Sequence, residues 1–144
     1  MNITVMKRSI LQKYLYSSNF NTKNTAVISF YGTGEKQVNF KVNPNVKYVK
    51  VNIDDLRWVD EPSSWQKEEF KLIVHMIKEW EAKGIIENII CECEAGVSRS
   101  AGCAAAISEY FNHNGINYFT NINYSPNVNV YNGIYKRLIN EWKD

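Results

Sequence analysis

The sequence predicts an α/β fold, with a central, mostly parallel sheet flanked by helices. Short apolar runs rich in β-formers alternate with longer amphipathic stretches, and glycines or prolines separate them. A loop of small residues also lies between one apolar run and the helix-like stretch that follows it. With 144 residues, 44% of them hydrophobic, the chain suits a single domain over residues 1–144 with a sizeable core.

Four segments have strand character. The run 26–31 is apolar and ends at Gly32, so it is typical of a buried strand. Residues 38–42 alternate between apolar and polar, as an exposed edge strand does. Residues 48–53 predict a third strand, and residues 89–91 predict a short buried one.

The longest helical pattern follows Pro62. Ser63 or Ser64 is its candidate cap, with Glu68 or Glu69 nearby, and Gly84 suits its end. Helical spacing predicts a core-facing stripe made of Phe70, Ile73, Val74, Ile77 and Trp80.

Two more helices are predicted towards the end of the chain. Residues 101–111 contain small residues that allow close packing, and Gly115 is the expected end of this helix. Ser125-Pro126-Asn127 opens the last helix. One face of that helix is expected to carry Tyr131, Ile134, Tyr135, Leu138 and Trp142.

Composition excludes several classes of function. The net charge is +2, from 17 basic and 15 acidic residues without a basic run, so we expect neither nucleic-acid nor membrane partners. No apolar stretch approaches the length of a membrane span. The three cysteines are an odd number, which favours free thiols in a reducing, cytoplasmic setting. Neither histidine has metal-ligand spacing with the cysteines, so no metal or other cofactor is expected, and the oligomeric state stays open.

The most informative segment is Cys93-Glu94-Ala95-Gly96-Val97-Ser98-Arg99-Ser100. A thiolate is a strong nucleophile, and a guanidinium is a planar fork that matches two phosphate oxygens. If the loop curls, the backbone N–H groups of residues 94–99 can form an anion nest, for which Gly96 supplies the permissive backbone. The segment therefore predicts a bowl for a tetrahedral dianion, with the sulfur of Cys93 beneath it.

This segment resembles the signature loop of the cysteine-dependent protein tyrosine phosphatases, particularly the small dual-specificity type. Val51-Asn52-Ile53-Asp54-Asp55 resembles the strand end that carries the family's general-acid aspartate. Ser125-Pro126-Asn127 resembles the segment that closes the family's catalytic domain, in which Asn127 supports the loop. The run 26–34 is similar to compact tyrosine-phosphatase-like proteins of phages and bacteria. The likeness covers roughly residues 24–142, strongly at the loop and loosely elsewhere.

The resemblance implies metal-free hydrolysis of phosphomonoesters in two steps. In this chain Cys93 corresponds to the nucleophile, Arg99 to the phosphate clamp and Ser100 to the residue that eases departure of the thiolate. The general acid is expected upstream. Asp55 is favoured, Asp54 follows closely, and Asp60 has a spacing to Cys93 nearer to the family's; each also suits a turn former after a strand.

One position departs from the family's pattern. The residue before the nucleophile is normally His, whereas here it is Glu92. A carboxylate that points towards the sulfur opposes thiolate formation, whereas one that points to solvent has little effect. Cys91 and Cys103 are either small buried residues or partners for an oxidised Cys93.

The leading hypothesis is therefore hydrolysis of phosphotyrosine, and also of phosphoserine or phosphothreonine, in phosphoproteins or peptides. The loop contains no Lys, which disfavours inositol phosphates and RNA 5′-phosphates as substrates. One alternative is a phosphate-binding module with weak or no turnover, because of Glu92. A third is a thiol enzyme such as an arsenate reductase or sulfurtransferase, which requires Cys91 or Cys103.

Overall fold

A computed structural model describes all 144 residues and contains one sheet of four parallel strands. The spatial order is β1–β4–β2–β3, so every connection crosses from one end of the sheet to the other. The predicted α/β fold with a parallel sheet is confirmed. The strands are β1 (Asn2–Lys7), β2 (Thr25–Tyr31), β3 (Lys47–Asn52) and β4 (Asn88–Cys93).

Five helices surround the sheet. They are α1 (Arg8–Tyr16), α2 (Lys67–Lys83), α3 (Arg99–Asn112), α4 (Ile116–Thr120) and α5 (Val128–Leu138). No helix combines the length and the apolar composition that crossing a bilayer requires.

The two faces of the sheet carry separate cores, and β4 contributes to both. Ile89, Cys91 and Cys93 belong to the larger core, which includes residues of α2, α3 and α5. Ile90 belongs to a smaller core with Leu11 and other residues on the α1 side. Successive side chains of a strand point to opposite faces, so neighbouring residues of β4 face different helices.

The first strand and the first helix were not among the predicted elements. β1 lies at one edge of the sheet and has no fully buried residue. α1 is nine residues long and buries only Leu11 and Leu15. Both elements are too short or too exposed to produce a clear apolar period, yet they pair with and cover the strand that leads to Cys93.

Residues 38–42 do not form the predicted edge strand. Val38 and Phe40 are buried on the α1 side, and Phe40–Val42 forms a single 3₁₀ turn. The backbone N–H and C=O of Asn39 bond to the Gln12 side chain, and its own side chain accepts from the N–H of Lys41. The alternating apolar residues of this segment are thus buried, but the Gln12 side chain bonds to the backbone groups of Asn39 that a strand ladder would use.

The longest predicted helix is confirmed, but its cap is wrong. All five expected core residues are buried, Glu68 and Glu69 occupy the first turn, and Gly84 ends the helix with φ +68°. Ser64 instead donates to the carbonyl of Glu61 in a preceding turn. The residue at the cap position is Gln66, with φ 51° and no capping side chain.

The ends of the last helices also differ from expectation. The helix after the loop ends at Asn112, followed by His113 in the left-handed conformation, so Gly115 is not its end. Gly115 precedes α4, where a Cβ would lie 2.5 Å from the carbonyl oxygen of Ala105. The last helix starts after Asn127 as predicted but ends at Leu138, so Trp142 lies beyond it.

Candidate active site

The Cys93–Ser100 segment connects the carboxyl end of β4 to the first turn of α3. Parallel sheets place ligands at this edge, and the amino end of a helix favours anions. Gly96 has φ +67°, and a Cβ there would lie 2.8 Å from the backbone nitrogen of Lys7. The glycine is therefore required both for the turn and for the close approach of β1.

The backbone N–H groups of residues 94–98 donate to no backbone carbonyl of the protein. No side chain accepts from them either, since the sulfur of Cys93 is contacted by Ser100 instead. A run of free amides at the start of a helix has the composition of an anion nest.

The sulfur of Cys93 lies against Ser100. The two atoms Sγ and Oγ are 3.0 Å apart, and the backbone N–H of Ser100 donates to the sulfur over 3.4 Å. Both residues are buried, at 2% and 0% exposure. The chain after Cys93 thus curls back on the sulfur, and two donors are in reach of a thiolate.

The guanidinium of Arg99 is held on two of its three nitrogens. Nη1 donates to the carbonyl of Ile53 over 3.0 Å, and Nη2 donates to Glu35 over 2.8 Å. Nε is buried and has no partner. Burial alone would lower the pKa of Arg99, but the hydrogen bond and charge of Glu35 raise it above its ordinary value.

Asp55 is joined to the loop through Ser98. Its Oδ1 accepts from the hydroxyl of Ser98 over 2.6 Å and from the amide of Asn127 over 2.8 Å. Partial burial tends to raise the pKa of Asp55, but these two hydrogen bonds bring it below its ordinary value. Asn127 also caps α5 by accepting from the N–H of Val130.

The other two candidate acids are placed differently. Asp54 accepts from the backbone N–H and the hydroxyl of Thr33, over 2.6 and 3.2 Å. Asp60 is exposed in the connection between β3 and α2. Of the three aspartates, Asp55 alone bonds to a residue of the loop.

Glu92 takes neither of the two orientations considered from the sequence. It is fully buried on the face of β4 opposite to Cys93, where it accepts from Ser29 over 2.7 Å and from Arg8 over 3.0 and 3.1 Å. Burial raises the pKa of Glu92, and the bonds to Ser29 and Arg8 oppose that rise. The sheet separates the carboxylate from the sulfur.

Glu35 is the site residue that sequence reasoning missed. A turn after β2, with an N–H···O bond from Glu35 to Gly32 and Gly34 at φ +78°, returns its side chain towards Arg99. Partial burial tends to raise the pKa of Glu35, but hydrogen bonds from Arg99, Gly32 and Arg8 lower it. The signal present in the sequence was a Gly-x-Gly turn with an acid, directly after a strand.

The remaining thiols do not form disulfides. Cys91, Cys93 and Cys103 are all free and buried. Burial, with a hydrogen bond to Cys91, raises the pKa of Cys103. No three side chains of metal-ligating type converge anywhere in the protein.

No family model and no curated sequence matches the chain. Solved structures do match. Human DUSP28 aligns with a TM-score of 0.58 and 11% identity, covering 96% of this chain and 92% of that one. PTPMT1 in complex with PI(5)P aligns with a TM-score of 0.56 and 14% identity, covering 97% and 94%. Tk-PTP in its active form aligns with a TM-score of 0.57 and 14% identity, covering 94% and 88%.

These alignments span nearly the whole length of both chains, although few residues are identical. They include the four-stranded parallel sheet and the helices that cover it. The resemblance noted in the sequence is thus confirmed in three dimensions: this chain has the fold of the cysteine-dependent protein tyrosine phosphatases.

Proposed function

We propose that the protein hydrolyses phosphomonoesters through a cysteinyl-phosphate intermediate. The observation that carries the proposal is the set of free donors around one sulfur. Residues 94–98 offer five backbone N–H groups, and Arg99 offers a buried Nε–H without a partner. Buried polar groups normally have partners, so a buried guanidinium N–H without one suits an oxyanion ligand.

In the first step Cys93 Sγ attacks phosphorus, and the bond between phosphorus and the ester oxygen breaks. The loop amides and Arg99 hold the charge that spreads over the three remaining oxygens. The departing oxygen needs a proton, which the general acid supplies.

We assign the general acid to Asp55, because its carboxylate already contacts Ser98 of the loop. Its lowered pKa keeps it ionised in the free protein. A bound phosphate dianion nearby disfavours the carboxylate and so favours loading of the proton.

In the second step water attacks phosphorus, and the sulfur–phosphorus bond breaks. Asp55, now ionised, takes the proton of the attacking water. The sulfur leaves as a thiolate, and the hydroxyl of Ser100, 3.0 Å away, donates to it. Ser100 thus contributes mainly to this step.

The test is hydrolysis of p-nitrophenyl phosphate by wild type and by Cys93→Ser. We expect turnover only in the wild type, and a covalent phosphoprotein after a rapid acid quench. Ser100→Ala should accumulate that intermediate, since its breakdown slows. Wild-type turnover no faster than that of Cys93→Ser, combined with measurable phosphate binding, would replace the enzyme by the phosphate-binding module.

For the substrate we propose phosphotyrosine in proteins or peptides. Leu56 and Val97 are exposed apolar residues, at 44% and 37%. Their carbonyls accept from residues 125–129, so both lie beside the start of α5 at the edge of the loop. An apolar rim suits an aryl ester, and the loop offers no Lys for a second phosphate.

A phosphoinositide is the competing substrate, because PTPMT1, with a similar fold, was solved in complex with PI(5)P. The discriminating measurement is kcat/KM on a phosphotyrosyl peptide, its phosphoseryl counterpart and vesicles containing PI(5)P. We expect the phosphotyrosyl peptide to be preferred. A higher value on the vesicles would overturn the protein substrate and leave the hydrolase assignment intact.

A further inference from the structure

Four charged side chains form a continuous chain from the α1 side of the sheet to the phosphate-binding loop. Glu92 pairs with Arg8, Arg8 contacts Glu35 over 3.3 Å, and Glu35 pairs with Arg99 over 2.8 Å. The charges of these four side chains alternate in sign, so each side chain lies next to one of opposite charge. It links the first residue of α1 to the guanidinium that the proposed function assigns to phosphate.

Arg8 is the best anchored member of this chain. Besides Glu92 and Glu35, it donates to the carbonyl oxygens of Phe30 and Lys36, both over 2.6 Å. These carbonyls belong to the end of β2 and to the residue after Glu35. Arg8 therefore holds both the side chain of Glu35 and the loop that carries it.

The backbone of Arg8 is fixed against the same loop as the sulfur. Lys7 is in register with Cys93 across the β1–β4 pair, and the N–H of Arg8 donates to the carbonyl of Glu94 over 3.3 Å. Gly96 packs against the backbone of Lys7. The junction of β1 and α1 is thus a wall of the phosphate-binding loop.

Glu35 alone would not hold Arg99 in one place. Its side chain is 20% exposed and sits on a turn. A glutamate of this kind loses considerable conformational entropy when it is ordered. Arg8 occupies Oε1, so Oε2 stays directed at Nη2 of Arg99 and leaves Nε free for an oxyanion.

We infer that Arg8 is a positioning residue for phosphate binding, acting through Glu35 on Arg99. The inference rests on the proposed function only in so far as Arg99 binds the phosphate group. It assigns to the N-terminal segment a role in the site that neither the loop motif nor the predicted elements indicated. Glu92 contributes by holding Arg8 from the far side.

The test measures the affinity for inorganic phosphate and vanadate, a readout that does not need turnover. Arg8→Met keeps much of the side-chain volume and removes the charge. We expect the dissociation constant of each oxyanion to rise about 10- to 100-fold, as loss of one charged hydrogen-bonding arrangement implies. Lys13→Met on the same helix removes an equal charge from an exposed position and should leave the constant unchanged.

Arg8→Met leaves Glu92 buried without its partner and so risks unfolding. The double variant Arg8→Met/Glu92→Gln removes both charges and keeps the interior neutral. We expect it to fold, as shown by its thermal transition, and still to bind oxyanion about 10-fold or more weakly. A folded double variant with wild-type affinity would overturn the inference.

A double-mutant cycle tests the route. If Arg8 acts through Glu35, Arg8→Met combined with Glu35→Gln should bind phosphate no more weakly than Glu35→Gln alone. Fully additive losses would show that Arg8 does not act through Glu35. If the wild-type protein binds phosphate with this dependence on Arg8 but does not hydrolyse phosphate esters, the hydrolase proposal is refuted and the positioning role of Arg8 stands.

Discussion

Two carboxylates flank the Cys93–Ser100 loop, and they are held in different ways. Glu35, after β2, lies between two guanidinium groups, those of Arg8 and Arg99. Asp55, after β3, accepts from two neutral donors, the hydroxyl of Ser98 and the amide of Asn127. Glu35 keeps its charge because it lies between two permanent cations, whereas Asp55 has only neutral hydrogen-bond donors, and Arg57 and Arg99 lower its pKa through their charge alone. Under the proposed function, Glu35 is a fixed counter-ion on one side of the loop and Asp55 is the proton carrier on the other.

The largest expected difference between the two carboxylates appears when the leaving group of the substrate is varied. Asp55→Asn should lower kcat for phenyl phosphate by about 10²- to 10⁴-fold, the usual contribution of a general acid. The loss should be much smaller for p-nitrophenyl phosphate, whose leaving oxygen hardly needs a proton. Steady-state kinetics on a series of aryl phosphates measures this slope.

Asp54→Asn and Asp60→Asn are the matched controls. If the steep dependence on the leaving group appears in Asp60→Asn instead, the acid is Asp60, and Asp55 only positions Ser98. An equal loss on every substrate in Asp55→Asn would likewise show that Asp55 is not the acid and only positions Ser98.

Glu35→Gln should show the opposite pattern. We expect kcat/KM to fall about 10- to 100-fold, by a similar factor for phenyl and p-nitrophenyl phosphate, because the phosphate clamp is affected rather than the proton. The same kinetic series measures it. A dependence on the leaving group would contradict the role of Glu35 as a fixed counter-ion.

Substitutions at two glycines of the Glu35 turn distinguish the effect of a steric contact from the effect of backbone strain. A Cβ on Gly32 would lie 2.8 Å from Oε2 of Glu35 and 3.2 Å from Nη1 of Arg99. Gly32→Ala should therefore reduce kcat/KM about 10-fold by displacing the pair. Gly34→Ala meets no atom within 4 Å but is strained at φ +78°. It should lower stability by about 1 kcal/mol and affect kcat/KM less than Gly32→Ala does. Thermal unfolding measures the first effect, and the phosphatase assay measures the second.

The smallest expected effects concern stability against pH. The pKa of Asp55 is lowered from 3.8, so its stabilising contribution is complete above that pH and is lost as pH falls further. The pKa of Glu92 is raised from 4.5, so its protonated form stabilises the folded protein at low pH. This stabilisation is lost as pH rises above 4.5.

Urea unfolding at several pH values checks both signs. Relative to wild type, Asp55→Asn should become less destabilised as pH falls from 5 towards 2.5. Glu92→Gln should compare more favourably with wild type at pH 7 than at pH 4. Parallel pH profiles for the two variants would show that their environments do not differ as described.

The sequence predicted the parts of the fold that have a strong local pattern. Three of the four strands were located within one or two residues of their bounds, because buried strands are continuous apolar runs. The amphipathic helix α2 was equally clear. β1 and α1 were missed, since a partly exposed edge strand and a nine-residue helix carry little periodicity.

For the candidate site, the loop was predictable from the sequence, because a thiol, a glycine, an arginine and a hydroxyl follow one another within eight consecutive residues. The counter-ions of Arg99 and Arg8 were not predictable from the sequence, because they are brought together by the folded chain. Glu35 is 64 residues from Arg99, and Arg8 is 84 residues from Glu92. Such pairs depend on strand order and on which face of a strand a side chain takes, and no local pattern encodes either.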